Sequence, residues 1–358
     1  MANVNEAAFR ELISGRRHGV SAAFWRAALA AAAAPYAFAV AFRNRAYDRG
    51  WLSPHRAPVP VLSVGNLTAG GTGKTPVVAF LAQWFRRRGV SPGILSRGYR
   101  AHTPAANDEK LLLDRLCPDV PHIQNPNRAE AARKAWRHYD CRVLILDDGF
   151  QHRRLHRDLD LVLIDATNPW GFGRLLPRGL LREPITALRR AHLVVLTRAD
   201  QCDSACAAEI RRTIHRVKAE LPIVAMRSRP SAWRNADAET LAVGDLEGRP
   251  VVAFCGIGNP EAFRKTLTEC GVHLRAFRSF SDHHNYSDTD LEHLARLAAE
   301  HQVEALVATA KDLVKVNRPS VHGWPVWALE IRPEVIAGEE ILDEQLGELA
   351  RKAERSDQ

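Results

Sequence analysis

The 358-residue chain lacks several features that would narrow its class at once. It has no Cys-x-x-Cys spacing, and its six cysteines (Cys117, Cys141, Cys202, Cys206, Cys255, Cys270) are too few and too scattered for a disulfide framework. The closest pair, Cys202 and Cys206, is one helical turn apart with no further ligands nearby, so reduced cytosolic thiols are expected. No apolar run reaches the ~20 residues of a spanning helix, and no repeat or low-complexity tract occurs besides a stretch of alanines. An acidic excess is also absent: 50 Lys and Arg against 41 Asp and Glu leave a net charge of +9. That balance calls for an anionic partner, whether nucleic acid, phosphorylated ligand or acidic membrane face. No basic-aromatic stripe or recognised module supports nucleic acid, which is not expected as a partner. With 46% hydrophobic and 25% charged residues, the composition is that of a globular protein and excludes disordered and fibrous classes. The length exceeds what one core usually serves, so two domains are expected.

What the chain does have begins with an apolar run of 16 residues, Ala27 to Phe42, mostly alanine, with Pro35 inside it and Arg16, Arg17 and Arg26 before it. Three readings stay open: a helix lying in or against a membrane surface, an Ala-rich helix packed on the protein itself, and a cleaved signal, which the paired arginines hint at. Arg26 beside the run and the nucleotide loop that follows near residue 65 argue against export. After Asp48–Gly50 short β-rich runs alternate with amphipathic stretches. Candidate strands are Val59–Val64, Gly93–Ser96, Val143–Leu146, Leu161–Ile164, Leu193–Leu196 and Pro222–Ala225. Most are continuous apolar runs, as in strands buried on both faces of a parallel sheet. The helix between the first two places Val77, Val78, Leu81, Trp84 and Phe85 on one face and closes with Arg86–Arg88. The pattern fades into a polar stretch at Arg229–Arg249. A second series follows, with strands at Val251–Cys255, Leu306–Thr309 and Val326–Leu329, a helix after Pro260, and a charged amphipathic helix after Glu339.

The densest signal is Gly65-Asn66-Leu67-Thr68-Ala69-Gly70-Gly71-Thr72-Gly73-Lys74-Thr75-Pro76, which follows a buried strand and opens a helix. That is the setting a P-loop requires: glycines let the backbone N–H groups turn toward phosphate oxygens, and the helix N-terminus adds positive potential. Thr68 to Thr75 form the nucleotide cradle on this reading. Lys74 reaches the β- and γ-phosphates, and the Thr75 hydroxyl ligates Mg²⁺. Thr68 stands where the bare GxxxxGK[ST] pattern has glycine. The apolar strand Val143–Leu146 ends in Asp147-Asp148, the Walker-B arrangement that places carboxylates beside the loop to hold Mg²⁺. Thr197-Arg198-Ala199-Asp200 is similar to the guanine box of GTPases. The Asp-x-x-Gly of a GTPase switch is missing, because Leu146 lies three before Gly149.

In their order these residues resemble the tetraacyldisaccharide 4'-kinase family. The resemblance rests on the loop above, Leu95-Ser96-Arg97-Gly98-Tyr99, Asp147-Asp148-Gly149-Phe150-Gln151-His152, and Leu176-Pro177 with Leu181-Arg182-Glu183-Pro184. It extends through Phe254 with Gly256-Ile257-Gly258-Asn259-Pro260, Asp282-His283, and Thr309 with Lys311-Asp312, covering roughly residues 36 to 330. A small hydroxyl residue also begins the family's loop, which accounts for Thr68. The resemblance implies an α/β fold: a P-loop NTPase-like, doubly wound, mostly parallel sheet, a second smaller α/β domain, and an N-terminal membrane-associated helix. The expected division is 1–50 for the helical segment, 51–235 for the kinase core and 236–358 for the smaller domain.

The function implied is ATP- and Mg²⁺-dependent phosphorylation of the 4'-hydroxyl of a tetraacylated glucosamine disaccharide 1-phosphate, a lipid A precursor. The implied setting is the cytoplasmic face of the bacterial inner membrane, with the enzyme peripheral or monotopic on an anionic surface and a monomer favoured. The family's base is an aspartate paired with a histidine of the second domain; the matching residues are Asp108 and His283. Asn107 and Lys110 stand where the family has Gly and Pro. Arg97, Tyr99, Arg128 and Arg182 match positions that grip phosphate or the sugar headgroup, and Gln151, His152 and Glu183 are expected to line it. Arg153-Arg154 and Arg189-Arg190 are read as solvated faces. The alternative from another class is a membrane-associated P-loop regulatory ATPase, which gives no role to Asp108, His283 or Leu181-Arg182-Glu183-Pro184.

Overall fold

A computed structural model describes residues 2–98 and 108–355, the side chains of residues 2–7 excepted. Two helices lead the chain, α1 (Ala2–Ser14) and α2 (Val20–Asp48). There follow β1 (Val61–Asn66), α3 (Lys74–Arg87), β2 (Pro92–Ser96), α4 (Asp108–Leu116), β3 (His122–Gln124), α5 (Arg128–Tyr139), β4 (Val143–Asp147) and β5 (Leu159–Asp165). Next come β6 (Leu193–Thr197), α6 (Ser204–Val217), β7 (Ile223–Arg234), β8 (Thr240–Leu241), β9 (Pro250–Cys255), α7 (Pro260–Glu269), β10 (His273–Ser279) and α8 (Asp288–Glu300). The chain closes with β11 (Ala305–Thr309), α9 (Ala310–Val316), β12 (Ser320–Val321), β13 (Trp324–Ala337) and α10 (Glu339–Arg355).

Contacts divide the molecule into two units. The first holds the described residues of Met1–Gly98, Cys117–Arg227 and Val335–Gln358; the second holds those of Tyr99–Leu116 and Ser228–Glu334. In the first, parallel strands run β6-β5-β1-β4-β2-β3, with the start of β7 beside β6. β1, β2, β4, β5 and β6 are buried along their whole length, which is why they read as unbroken apolar runs. α3 buries Val77, Val78, Leu81, Trp84 and Phe85 on this sheet. In the second unit β10-β9-β11-β13 run parallel, and short antiparallel partners β12 and β8 pair with β13 and β7.

The division differs from the expected one: the leading segment 1–50 falls within the first unit, the boundary expected after 235 lies at Arg227–Ser228, and two further segments change sides. α10 belongs with the first unit because its apolar stripe, Leu342, Leu346, Leu349 and Ala353, faces β4, and Trp84 Nε1 donates to Asp343 at 2.6 Å. The described end of Tyr99–Leu116 is α4, which packs on α9 in the second unit. β3 and β10 are additional strands. β3 has only three residues, and β10 ends its sheet with a mostly exposed, polar-interrupted run, so neither carries a continuous apolar signal.

α2 is longer than the alanine run, at 29 residues, and it is two-faced. One side docks on the first unit: Ala22 and Ala46 are buried, Tyr36 Oη donates to Arg182 O at 2.8 Å, and Arg43 pairs with Glu183 at 3.0 Å. The other side leaves Phe24, Phe38 and Phe42 exposed, Phe38 by 73%, and Trp25 near the start of the helix is exposed as well. Arg153 and Arg190 are not the solvated faces expected. Arg153 donates to Asn44 O and Asp48 and stacks over Tyr47, while Arg190 pairs with Glu183 at 2.5 Å and lies over the Phe150 ring. Both anchor the helix region because Glu183 and Asp48 supply the carboxylates.

Candidate active site

β1 runs into the glycine-rich loop at the carboxyl edge of the first unit's parallel sheet, and the loop ends where α3 begins. Gly70 (φ 118°) and Gly73 (φ 79°) take left-handed conformations that a side chain would strain. Gly73 is the N-cap of α3 and offers no side-chain cap, so the first-turn N–H groups, which have no intrahelical partner, are left for an anion. Two of the expected cradle donors are committed elsewhere: Ala69 N–H donates to Leu180 O at 2.7 Å and Thr72 N–H to Gly70 O at 3.1 Å. The Thr72 hydroxyl is a buried oxygen with no hydrogen-bond partner. Lys74 Nζ lies 3.3 Å from Asn66 Oδ1 and 3.5 Å from Asp148 Oδ1.

The acidic end of β4 meets this loop closely. A Cβ on Gly65 would come within 2.6 Å of the Phe150 backbone nitrogen, so only glycine lets the two segments touch. Asp147 is 4% exposed; Asp148, in a left-handed turn (φ 52°), is gripped by Arg182 through contacts of 3.0 and 2.8 Å. Burial raises the Asp148 carboxyl, but Lys74 and Arg182 outweigh it and bring the group down to about 2, so it is ionised at neutral pH. Behind the loop, Arg198 donates to Gly71 O at 3.1 Å and pairs with Asp165, while Thr197 Oγ1 donates to Thr72 O at 3.0 Å. The segment that resembles a guanine box is thus a brace for the phosphate loop.

Around these groups the expected headgroup residues separate. Gln151 Nε2 donates to Asn66 O at 3.0 Å, and its Oε1 is buried without a hydrogen-bond partner. Arg128 is 3% exposed and donates to Asn125 O; burial lowers it to about 10, opposed by Asp147 and Asp148. His152 is neutral at physiological pH, because burial and then the charges of Arg128, Arg157, Arg154 and Arg97 push it down to about 4. Arg97 is exposed just past β2. Glu183 is 1% exposed between Arg43 and Arg190, so its carboxylate ties down α2 rather than lining an open surface. Tyr99 lies outside the described residues.

The second unit carries a different cluster. Asp108 opens α4, is 1% exposed, and meets His283 Nδ1 at 2.9 and 3.1 Å although 175 positions separate them. His283 has a left-handed backbone (φ 60°), and its N–H donates to Asp282 Oδ1 at 3.0 Å. Burial raises the Asp108 carboxyl, yet the His283 hydrogen bond with Lys311 and Lys315 leaves it below its ordinary value; the hydrogen bond to Asp108 lifts His283 above its own. Asn66, Arg198, Lys311 and Lys315 join the site without a role expected from the sequence: Asn66 lies in the phosphate-loop stretch, Arg198 in the segment similar to a guanine box, and the lysines in or beside the Thr309–Asp312 motif.

A glycine-rich loop opening a helix at the carboxyl edge of a parallel sheet, faced by an acidic strand end, defines a P-loop phosphotransferase. The chain belongs to a particular family of these, the tetraacyldisaccharide-1-P 4'-kinases (LpxK), whose model matches residues 25–351. A tetraacyldisaccharide 4'-kinase of Anaeromyxobacter dehalogenans (strain 2CP-C) is 37% identical over 357 residues, 92% of this chain and 94% of the relative. One from Syntrophus aciditrophicus is 39% identical over 336 residues, 84% and 87% of the two chains. The crystal structure of LpxK from Aquifex aeolicus in complex with ATP is 32% identical, with a TM-score of 0.70 over 91% of this chain and 99% of that one.

Proposed function

We propose that this kinase transfers the γ-phosphate of ATP to the 4'-hydroxyl of tetraacyldisaccharide 1-phosphate. The observation that carries the reading is the family match over residues 25–351, which takes in both the phosphate loop and the Asp108–His283 pair. The uncapped start of α3 and the Thr72 hydroxyl receive the phosphates, with Lys74 as the balancing charge. Mg²⁺ fits the donor set: Thr75, Asp147 and Asp148 offer hard oxygens at the loop and would hold the ion together with the nucleotide phosphates. When bound, it neutralises charge on the transferring phosphoryl group. Asp108, ionised and hydrogen-bonded to His283, accepts the hydroxyl proton as the new P–O bond forms and the bond from the γ-phosphorus to the bridging oxygen breaks, releasing ADP. Arg97, Arg128 and Tyr99 bind acceptor phosphate or sugar on the same reading, and Gln151, His152, Arg182 and Glu183 shape that region.

The test is mass spectrometry of the lipid after incubation with Mg-ATP and detergent-dispersed tetraacyldisaccharide 1-phosphate. Gain of one phosphate at the 4'-hydroxyl is expected. ATP hydrolysis without lipid product overturns the proposal in favour of a regulatory ATPase.

We place the enzyme as a monomer at the cytoplasmic face of the inner membrane, held by the free side of α2, without nucleic acid as a partner. Phe24, Phe38 and Phe42 form an apolar side that the protein itself does not cover. A fully buried Phe is worth about 1.5–3 kcal/mol, so the double variant Phe38→Asp/Phe42→Asp is expected to weaken binding to anionic vesicles on the order of 10²-fold. Vesicle sedimentation checks this, and unchanged partition refutes the placement.

A further inference from the structure

α9 puts two lysines against the Asp108–His283 pair. Its N-cap, Thr309, accepts from Asp312 N–H at 3.2 Å, and Asp312 is locked by Gly256 N–H, Thr309 Oγ1 and Tyr286 Oη at 3.0, 2.6 and 2.9 Å. Lys311 and Lys315, one turn apart, therefore leave a fixed helix start on the side toward α4. Their roles differ. Lys315 is held by Asp312 at 3.5 Å and by donation to His284 O at 3.1 Å, and it reaches Asp108 Oδ2 only at 3.7 Å. Lys311 Nζ lies 2.9 Å from Asp282 Oδ1, 3.4 Å from His283 Nε2 and 3.7 Å from Asp108 Oδ2.

The two ring nitrogens of His283 thus face opposite demands. Nδ1 meets an ionised carboxylate and must donate, whereas Nε2 meets first an ammonium, which has donors and no acceptor, with Asp282 Oδ1 farther off at 3.9 Å. A second ring proton would point from Nε2 at that ammonium. We infer that Lys311 is a positioning residue of the pair: it opposes protonation of the far nitrogen of His283, orients the ring through Asp282, and leaves Asp108 as the group that receives the acceptor's proton. Asp282 shares the ammonium and is the backbone acceptor for His283, so Lys311 fixes the ring from both sides. The groups facing the pair are Lys311 and Lys315 from α9, Asp282 beside His283, and Glu109 next to Asp108, whose carboxylate acts on Lys311. The inference rests on the reading of Asp108 as the base.

The test uses the full chain with Lys311→Met and Lys311→Arg. Ring-¹⁵N histidine spectra, with His283 assigned by its loss in His283→Gln, follow protonation of the ring without turnover. In Lys311→Met the His283 midpoint is expected to move up by about one pH unit, and the acid limb of kcat/KM by a similar amount, because an opposite charge near Asp108 and a like charge near His283 are both lost. Lys311→Arg, which keeps the charge and a donor, is expected to hold both near the wild-type position. If Lys311→Met lowers kcat equally at every pH while the midpoint stays in place, Lys311 is only structural and the inference falls. A wild-type enzyme that forms no 4'-phosphate would instead defeat the functional reading. The ring titration would still decide whether Lys311 controls His283.

Discussion

Asp108→Asn is expected to lower 4'-phosphate formation by about 10²–10⁴-fold while leaving ATP affinity unchanged. The asparagine keeps the size and the hydrogen bond to His283 but has no basic oxygen for the hydroxyl proton. Asp108 belongs to the second unit and Gly70–Thr75 to the first, so the substitution leaves the nucleotide loop itself untouched. The pH signs follow from the two shifts. Asp108 lies below its ordinary 3.8, so its ionised form adds stability that is present above that value and lost as pH falls through the lower folded one. His283 lies above its ordinary 6.5, so its protonated form adds stability that is full below 6.5 and lost as pH rises through the folded value. Initial rates with nucleotide titration check the variant. A rate within tenfold of wild type removes Asp108 from the base role.

The phosphate loop could be read from the chain because its parts are contiguous: a strand, a glycine-rich turn and a helix start occupy residues 61–75, and each has a local signature. The Asp147–Asp148 strand end is legible for the same reason. The Asp108–His283 pair is not, since nothing local marks a carboxylate in a short helix as the partner of a histidine 175 positions away. Only the family resemblance joins them. Lys311 illustrates the remaining limit: the motif around it is visible, but its side chain gains meaning from Asp282, His283 and Asp108, which the fold brings together.

Long-range packing explains the other differences. Glu183 looked like a headgroup residue beside Arg182, and Arg190 like a solvated cation. Their mutual pairing, with Arg43 joining from α2, makes them a buried clamp on a helix 140 positions earlier. α10 follows the second unit in the chain yet gives its leucines to the first, because β13 carries the chain from Glu334 into Val335 and across the boundary. Chain order cannot reveal such a return. The amphipathic spacing of Leu342, Leu346 and Leu349 predicts that a face is buried, without naming the surface that buries it.

Lys74→Met is expected to produce the complementary defect to Asp108→Asn, weakening ATP binding and lowering kcat by about 10²–10³-fold together. Lys74 is the first residue of α3, and its ammonium is held between Asn66 Oδ1 and Asp148 Oδ1, so it is fixed before any phosphate arrives. Methionine preserves the length and packing of the stem but removes the charge that faces the phosphates. A second consequence falls on Asp148. Lys74 and Arg182 together bring it to about 2, and with Arg182 alone its carboxyl rises. The stability its ionised form adds is present above the ordinary 3.8 and is lost as pH falls; in the variant that loss occurs at higher pH than in the wild type. Calorimetric titration with ATP, paired with rates at saturating acceptor, separates the two lesions. Asp108→Asn should bind ATP and fail at transfer, whereas Lys74→Met should fail at both. If Lys74→Met bound ATP and turned over like the wild type, the phosphate loop would not be where the donor nucleotide is held.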